Sequence, residues 1–276
     1  MKNLVTLALA IVLPMLVQAH EHIYVIASSQ TQGTPLSFLN GAGYNTNSGY
    51  VFPLTLASNG AYAGFYEFGG VTFASFGIFN FNSPAPGTEV RLRFLAVTGP
   101  PGGSFGVWDV EGINPDELDS TTLTFSLPVG ATNGTNSVLL SENNGEPGAD
   151  PYGHIHGRHY TATKPGLYVV TVQAYDGSGN GAAGGPIHAA SAPLPIYFQA
   201  GDLINSVTRD AAQVNLGFAA RLGTDYYVEA RTNLLPAAHW ETLAGPFTGD
   251  SHLQTATDAS IATSQKFYRL RLEPTP

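Results

Sequence analysis

Apolar residues recur at every second position through much of this chain, and no long stretch repeats them at the spacing of a helix face. The clearest alternation is 89–97, where Val90, Leu92, Phe94 and Ala96 fall on one face of a half-buried strand. Runs at 20–27, 105–110, 123–127, 137–141, 167–175 and 196–199 predict further strands, and 64–81 is a long aromatic-rich stretch. Turn formers separate them, notably Thr98-Gly99-Pro100-Pro101-Gly102-Gly103 and the Gly- and Asn-rich connection 176–185. From about Leu203 a second set begins, with strands expected at 213–218, 226–230, 240–243 and 267–272. The pattern predicts an all-β protein of two β-sandwich modules, jelly-roll or immunoglobulin-like, over 20–202 and 203–276.

Composition agrees with that reading. Charged residues make up 11% of the 276, Gly numbers 32 and Pro 19, the balance expected of strands joined by tight turns. With 43% hydrophobic residues the chain can build a core, so disorder is not expected. Residues 1–19 read as an export signal: Lys2 supplies the positive charge, 4–17 is an apolar run, and Val17-Gln18-Ala19 ends it with small residues at the two positions a signal peptidase reads. That run is short for a membrane span, and no later segment reaches about 18 consecutive apolar residues, so no transmembrane segment is expected in the mature chain. Removing Lys2 moves the formal net charge from −9 to −10, which argues against nucleic acid or an anionic membrane as partner. The mature protein is therefore expected outside the cytoplasmic membrane, whether periplasmic, surface-attached or released.

The chain has no cysteine, so neither disulfides nor thiolate ligands are available. A metal site would have to use His, Asp, Glu, Tyr or backbone oxygens. Histidine supplies the most informative spacing. Six of the eight histidines lie in the first module, and two pairs, His20/His22 and His154/His156, are two residues apart. In a strand such residues point to one face, so each pair can present two imidazoles together. Two adjacent strands, about 4.8 Å apart, would bring four neutral nitrogens within reach of one ion. Imidazole suits zinc and copper, and zinc takes four ligands in a tetrahedron.

His20, His22, His154 and His156 are thus the expected ligands of one zinc or copper ion. His188, beyond a Gly-rich loop, and Asp150, nearest the central pair among Glu142, Glu146 and Asp150, are lesser candidates. His159 follows His156 by three residues, which breaks strand alternation and suggests a structural or surface role. His239 and His252 belong to the second module and carry no expected role.

Two resemblances sharpen the metal reading. Cleavage after Ala19 would make His20 the first residue, and its α-amino group and imidazole could chelate one ion together. That arrangement resembles the copper histidine brace of lytic polysaccharide monooxygenases, which implies oxidative cleavage of polysaccharide. The first module as a whole resembles the bacterial surface-protein domain called choice-of-anchor M. The matching elements are His22, Gly99-Pro100 followed by Phe105 and Trp108, His154-Ile155-His156, and Pro165-Gly166-Leu167-Tyr168, over roughly residues 20 to 175.

Related zinc-regulated secreted proteins also begin His-Glu-His, as His20-Glu21-His22 does here. The resemblance implies zinc or a similar metal held by the two His-x-His segments. Three departures stand out: Tyr24 occupies the position of an acidic residue, His159 that of a Trp, and the usual C-terminal anchor has no counterpart. The second module resembles a small β-sandwich common at the C-termini of secreted proteins from verrucomicrobial-type bacteria. It matches at 225–229, Thr232-Asn233-Leu234, His239-Trp240 and 267–270, and implies an accessory role.

Other chemistry is thin. Asp109, Glu111, Asp116, Glu117 and Asp119 do not follow a calcium-loop spacing and read as a solvated segment. No Gly-rich phosphate loop and no Ser-His-Asp arrangement is evident. Tyr62, Phe65, Tyr66, Phe68, Phe73, Phe76, Phe79 and Phe81 would form either a sandwich core or a row that stacks on sugar rings. The two differ in exposure. The functions in play are therefore metal binding, oxidative catalysis on polysaccharide, and metal-free adhesion or carbohydrate binding at a cell surface.

Overall fold

The structure, a computed structural model, describes residues 22–40, 50–68, 71–109, 122–132, 134–155, 159–260 and 265–275. Among the described residues thirteen strands precede residue 202: β1 (His22–Ala27), β2 (Leu36–Asn40), β3 (Val51–Leu56), β4 (Tyr66–Phe68), β5 (Thr72–Ser75), β6 (Val90–Thr98), β7 (Ser104–Asp109), β8 (Thr122–Pro128), β9 (Ser137–Leu139), β10 (Gly153–Ile155), β11 (His159–Ala162), β12 (Gly166–Asp176) and β13 (Leu194–Ala200). Six follow: β14 (Ile204–Arg209), β15 (Val214–Ala220), β16 (Thr224–Arg231), β17 (Glu241–Thr248), β18 (His252–Asp258) and β19 (Phe267–Pro274). The protein is all-β, built as two sandwich modules. Among the described residues no helix is long and apolar enough to cross a membrane.

The first thirteen strands form two sheets, ordered β10–β5–β1–β2 and β8–β7–β11–β4–β3–β13–β12–β6–β9. Alternation decides which faces meet. Ile23, Val25 and Phe73 of the smaller sheet and Phe52, Phe94, Phe105, Val170 and Phe198 of the larger one share a single buried cluster. The long β12 alternates buried and half-buried residues from end to end. The six later strands form two three-stranded sheets, β14–β15–β18 and β17–β16–β19, around a separate core that includes Leu216, Phe218, Tyr226 and Val228.

One sequence expectation shifts in register. Val90, Leu92 and Phe94 are buried as their alternation requires, but Ala96 is only half-buried and Val97 takes the core position. A bulge explains this: Thr171 pairs with Ala96 and Val172 with Phe94, so Leu95 has no partner across the ladder and the strand changes face there. The aromatic stretch 64–81 is two short strands and a turn rather than one long element.

The modules meet through specific contacts. Tyr50 bridges His252, and the Val51 N–H donates to the Ser251 carbonyl at 2.7 Å. The buried Tyr226 hydroxyl donates to Asp202 Oδ1 at 2.6 Å, and Arg221 pairs with the other carboxylate oxygen at 3.3 Å. Burial, followed by the bond to Asp202, raises the Tyr226 phenol well above its ordinary value.

Within the second core Asp258 is a polar keystone, 1% exposed. It accepts from Lys266 Nζ at 2.5 Å, the Ser260 hydroxyl at 2.6 Å and the Tyr268 hydroxyl at 2.9 Å. Burial alone would raise its pKa, but these donors outweigh that and hold the carboxyl well below the usual range. Tyr268 is pushed up to about 12 by its own burial and by Asp258.

A carboxyl held below its unfolded value stabilises the fold above that value, about pH 3.9, and loses the contribution as pH falls further. Asp258→Asn should therefore lower the free energy of unfolding by about 2 kcal/mol at pH 7. In urea melts the gap between wild type and variant should narrow from pH 5 towards pH 2. A gap independent of pH would rule out the charged network as its source.

Candidate metal centre

The two histidine-bearing strands lie in one sheet, though not side by side. Strand β5 separates them. It pairs with β1 in parallel, setting His22 against Thr72 and Tyr24 against Ala74. On its other edge it pairs with β10 antiparallel, setting His154 against Ala74 and Ile155 against Phe73. Thr72 and Ala74 are two residues apart, so His22 and His154 occupy the same alternating set of positions across three strands. Their backbones are two strand spacings apart, about 10 Å. The expected adjacency is thus replaced by a three-strand arrangement whose middle strand carries small residues at the two levels concerned. His20 and His156 lie outside the described residues, as do Glu111, Asp116, Glu117 and Asp119.

Local chemistry determines how β10 reaches β5. Gly153 opens β10 against the end of the preceding segment, where a Cβ would lie 1.8 Å from the Leu140 carbonyl oxygen, so only glycine fits. The Ser141 hydroxyl donates to the Pro151 carbonyl at 3.1 Å, and the Glu142 N–H donates to the Tyr152 carbonyl at 2.8 Å. Asp150 Oδ1 accepts from the N–H groups of Ile78 at 3.1 Å and Tyr152 at 2.9 Å. It ties the turn after β5 to the chain entering β10. Asp150 thus braces the Ser75 end of β5, the end away from the level of His22 and Thr72.

His188 corrects an expectation more firmly. It is 1% exposed, and both ring nitrogens are engaged by main chain. Nε2 accepts from the Ala85 N–H at 2.9 Å, which leaves Nδ1 as the protonated nitrogen that donates to the Thr34 carbonyl at 2.7 Å. No lone pair remains for a metal. Beside it, buried Asp176 accepts from the N–H groups of Ile187 at 2.7 Å and Ser178 at 2.9 Å. His188 and Asp176 hold the loop 177–188 against the body of the module.

His159, by contrast, has an environment that its spacing concealed. It opens β11, in register with Trp108 of β7. Its Nε2 lies 3.1 Å from Glu67 Oε2, and Tyr62 stacks on the ring at 4.4 Å and 13°. Trp108 meets Tyr62 edge-on at 5.1 Å and donates its indole N–H to Thr161 Oγ1 at 2.8 Å. Burial lowers the His159 pKa against the opposing pull of Glu67. Its Nδ1 is buried and has no hydrogen-bond partner among the described residues. Among those residues no group of three or more His, Asp or Glu side chains is close enough to hold a metal by itself.

The aromatic question has a divided answer. Phe73 is core and Phe68 packs against it, whereas Phe79 is 93% exposed and Phe81 103%. Both project from the turn after β5, which is held by main-chain bonds from Asn80 N–H to Gly77 O and from Ala27 N–H to Asn82 O. No family model matches the chain, and no curated protein matches it.

The bracing role of His188 has a direct consequence. His188→Ala orphans the Ala85 N–H and the Thr34 carbonyl in a buried site, and should cost about 3 kcal/mol of stability in denaturant melts. Metal content of the folded fraction should stay at the wild-type level. Loss of metal without loss of stability would instead make His188 a ligand.

Proposed function

We propose that this is an exported metal-binding protein that holds one zinc or copper ion through His20, His22, His154 and His156. The observation that carries the reading is the shared strand: β5 hydrogen-bonds to both histidine-bearing strands and sets His22 and His154 at levels two residues apart. Imidazoles extending from positions about 10 Å apart across small residues can converge on one ion, and neutral nitrogens suit zinc and copper. The histidine-rich pattern resembling choice-of-anchor M domains supports the same reading. The export signal would put the site in a compartment where metal is captured outside the cytoplasmic membrane.

The test is metal analysis of the mature protein after stripping and reconstitution. One equivalent of zinc or copper is expected, with a higher melting temperature in the loaded form. His154→Ala/His156→Ala should lose both. Copper bound by a chain shown by mass spectrometry to begin at His20 would turn the reading towards the histidine brace and oxidative chemistry. No metal in the wild-type protein would sink the proposal.

A second reading rests on Phe79 and Phe81, whose near-complete exposure favours contact with a polysaccharide or another cell-surface component. Phe79→Ala/Phe81→Ala should abolish retention on insoluble polysaccharide while shifting stability by no more than about 0.5 kcal/mol and leaving metal content unchanged. Equal retention of variant and wild type would remove this reading.

A further inference from the structure

We propose that the cleft at the junction of the two modules binds a single uncharged sugar ring. The cleft has a volume of about 200 Å³ and lies between β3, Tyr66 of β4, residues 199–202 and the end of β15. It is independent of the metal reading and of Phe79 and Phe81. Main-chain bonds from both modules frame it. The Val51 N–H donates to the Ser251 carbonyl at 2.7 Å, the Ser251 N–H to the Ala220 carbonyl at 2.8 Å, and the Gly201 N–H to the Leu54 carbonyl at 3.2 Å. Gly201 has a φ of +69°, and a Cβ there would lie 3.2 Å from Tyr66 Cε1. Glycine therefore lets the chain pass close to the edge of that ring without strain. Packed protein leaves few gaps larger than a water molecule, whereas preformed clefts between domains are where small ligands bind.

The lining divides into an apolar wall and one polar pair. Leu54, Leu56, Tyr66 and Ala219 supply the wall, and Leu56 is 55% exposed there. Arg221 and Asp202 are the charged residues of the lining, and they neutralise each other, with Nη2 at 3.3 Å from Oδ2. The Tyr226 hydroxyl holds the other carboxylate oxygen at 2.6 Å. The two side chains keep 42% and 26% of their surface exposed, so the pair is not sealed. A guanidinium has five N–H groups and a carboxylate about four lone-pair sites, more than these contacts consume. Spare donors beside spare acceptors match hydroxyl groups, which both give and accept. An anion would be repelled by Asp202 and a cation by Arg221. A sugar ring meets both requirements, with its C–H face on the wall and its hydroxyl edge on the pair. Pockets for drug-sized ligands measure about 300–1,000 Å³, so this smaller cleft takes one ring rather than a run of them.

The experiment titrates the full mature protein, by calorimetry and saturation-transfer NMR, with glucose, galactose and N-acetylglucosamine as uncharged probes and galacturonate as the anionic one. At least one uncharged sugar should bind saturably, with a Kd near ~1 mM. Arg221→Gln and Leu56→Ala should each weaken that binding about 10-fold or more, and Phe79→Ala/Phe81→Ala should leave it unchanged. Leu56→Ala alters an exposed position and should melt with wild type, so it decides the matter should Arg221→Gln loosen the junction. Competition by a soluble oligosaccharide ending in the bound sugar would put a glycan's terminal ring in the cleft. Binding of the free sugar alone would restrict the site to monosaccharide, and either result supports the proposal. Tighter binding of galacturonate, equal affinity in wild type and both cleft variants, or no response to any sugar up to about 100 mM would overturn it.

Discussion

Everything distinctive about the first module depends on the hydrogen bonding of one four-residue strand. β5 is paired on both edges, in parallel with β1 and antiparallel with β10. Without it, the segment that begins at His22 and the segment around His154 would have no common frame, because more than 100 residues of chain separate them. Main-chain pairing is unforgiving about register, since a slip of one residue turns every side chain to the opposite face. Phe73, 3% exposed, pins that register from the core side. A mutation that loosened Phe73 would therefore disturb the histidine levels without touching a histidine.

A chain with no cysteine and few charges needs another way to fasten its long connections, and here the cross-links are carboxylates that accept main-chain N–H groups. Asp150 joins the turn after β5 to the approach of β10, and Asp176 gathers the loop that carries His188. In the second module Asp258 does similar work with side-chain donors. Glu229, 5% exposed, is held by Arg269 and Arg271, and the guanidiniums of Arg231 and Arg269 pack on the Trp240 ring at 4.3 and 4.4 Å. The Asp150 and Glu229 braces link segments 40 or more residues apart, whereas those of Asp176 and Asp258 fasten loops to nearby strands.

Strand alternation made the all-β class legible, and it located β6, β7 and β12 within a few residues. It failed where strands are short or polar. β14, with four exposed residues of six, and β18 carry little apolar signal, and β2 is hidden among turn-forming residues. The bulge at Leu95 could not be read either, because it is set by the partner strand. The histidine pairs stand out by spacing, and the common sheet of His22 and His154 follows from long-range topology that no local pattern encodes. His159 was set aside because a gap of three does not fit one strand. That argument assumed the strand continued, whereas β10 ends at Ile155 and β11 begins at His159 in the other sheet. Glu67 and Tyr62, its partners, lie more than 90 residues earlier.

His188 and His159 show how the second nitrogen decides what a buried histidine can do. With a main-chain donor on one nitrogen and a carbonyl on the other, His188 is closed to coordination. With a carboxylate on one nitrogen and no partner on the other among the described residues, His159 keeps one ring nitrogen uncommitted. The four ligands proposed for the ion, His20, His22, His154 and His156, match the number that tetrahedral zinc takes. A zinc ion satisfied by protein nitrogens alone has no position left for water or substrate, which is the arrangement of a storage or structural site rather than a catalytic one. Copper in a brace would use only two imidazoles and the terminal amine, which keeps positions open for oxidative chemistry.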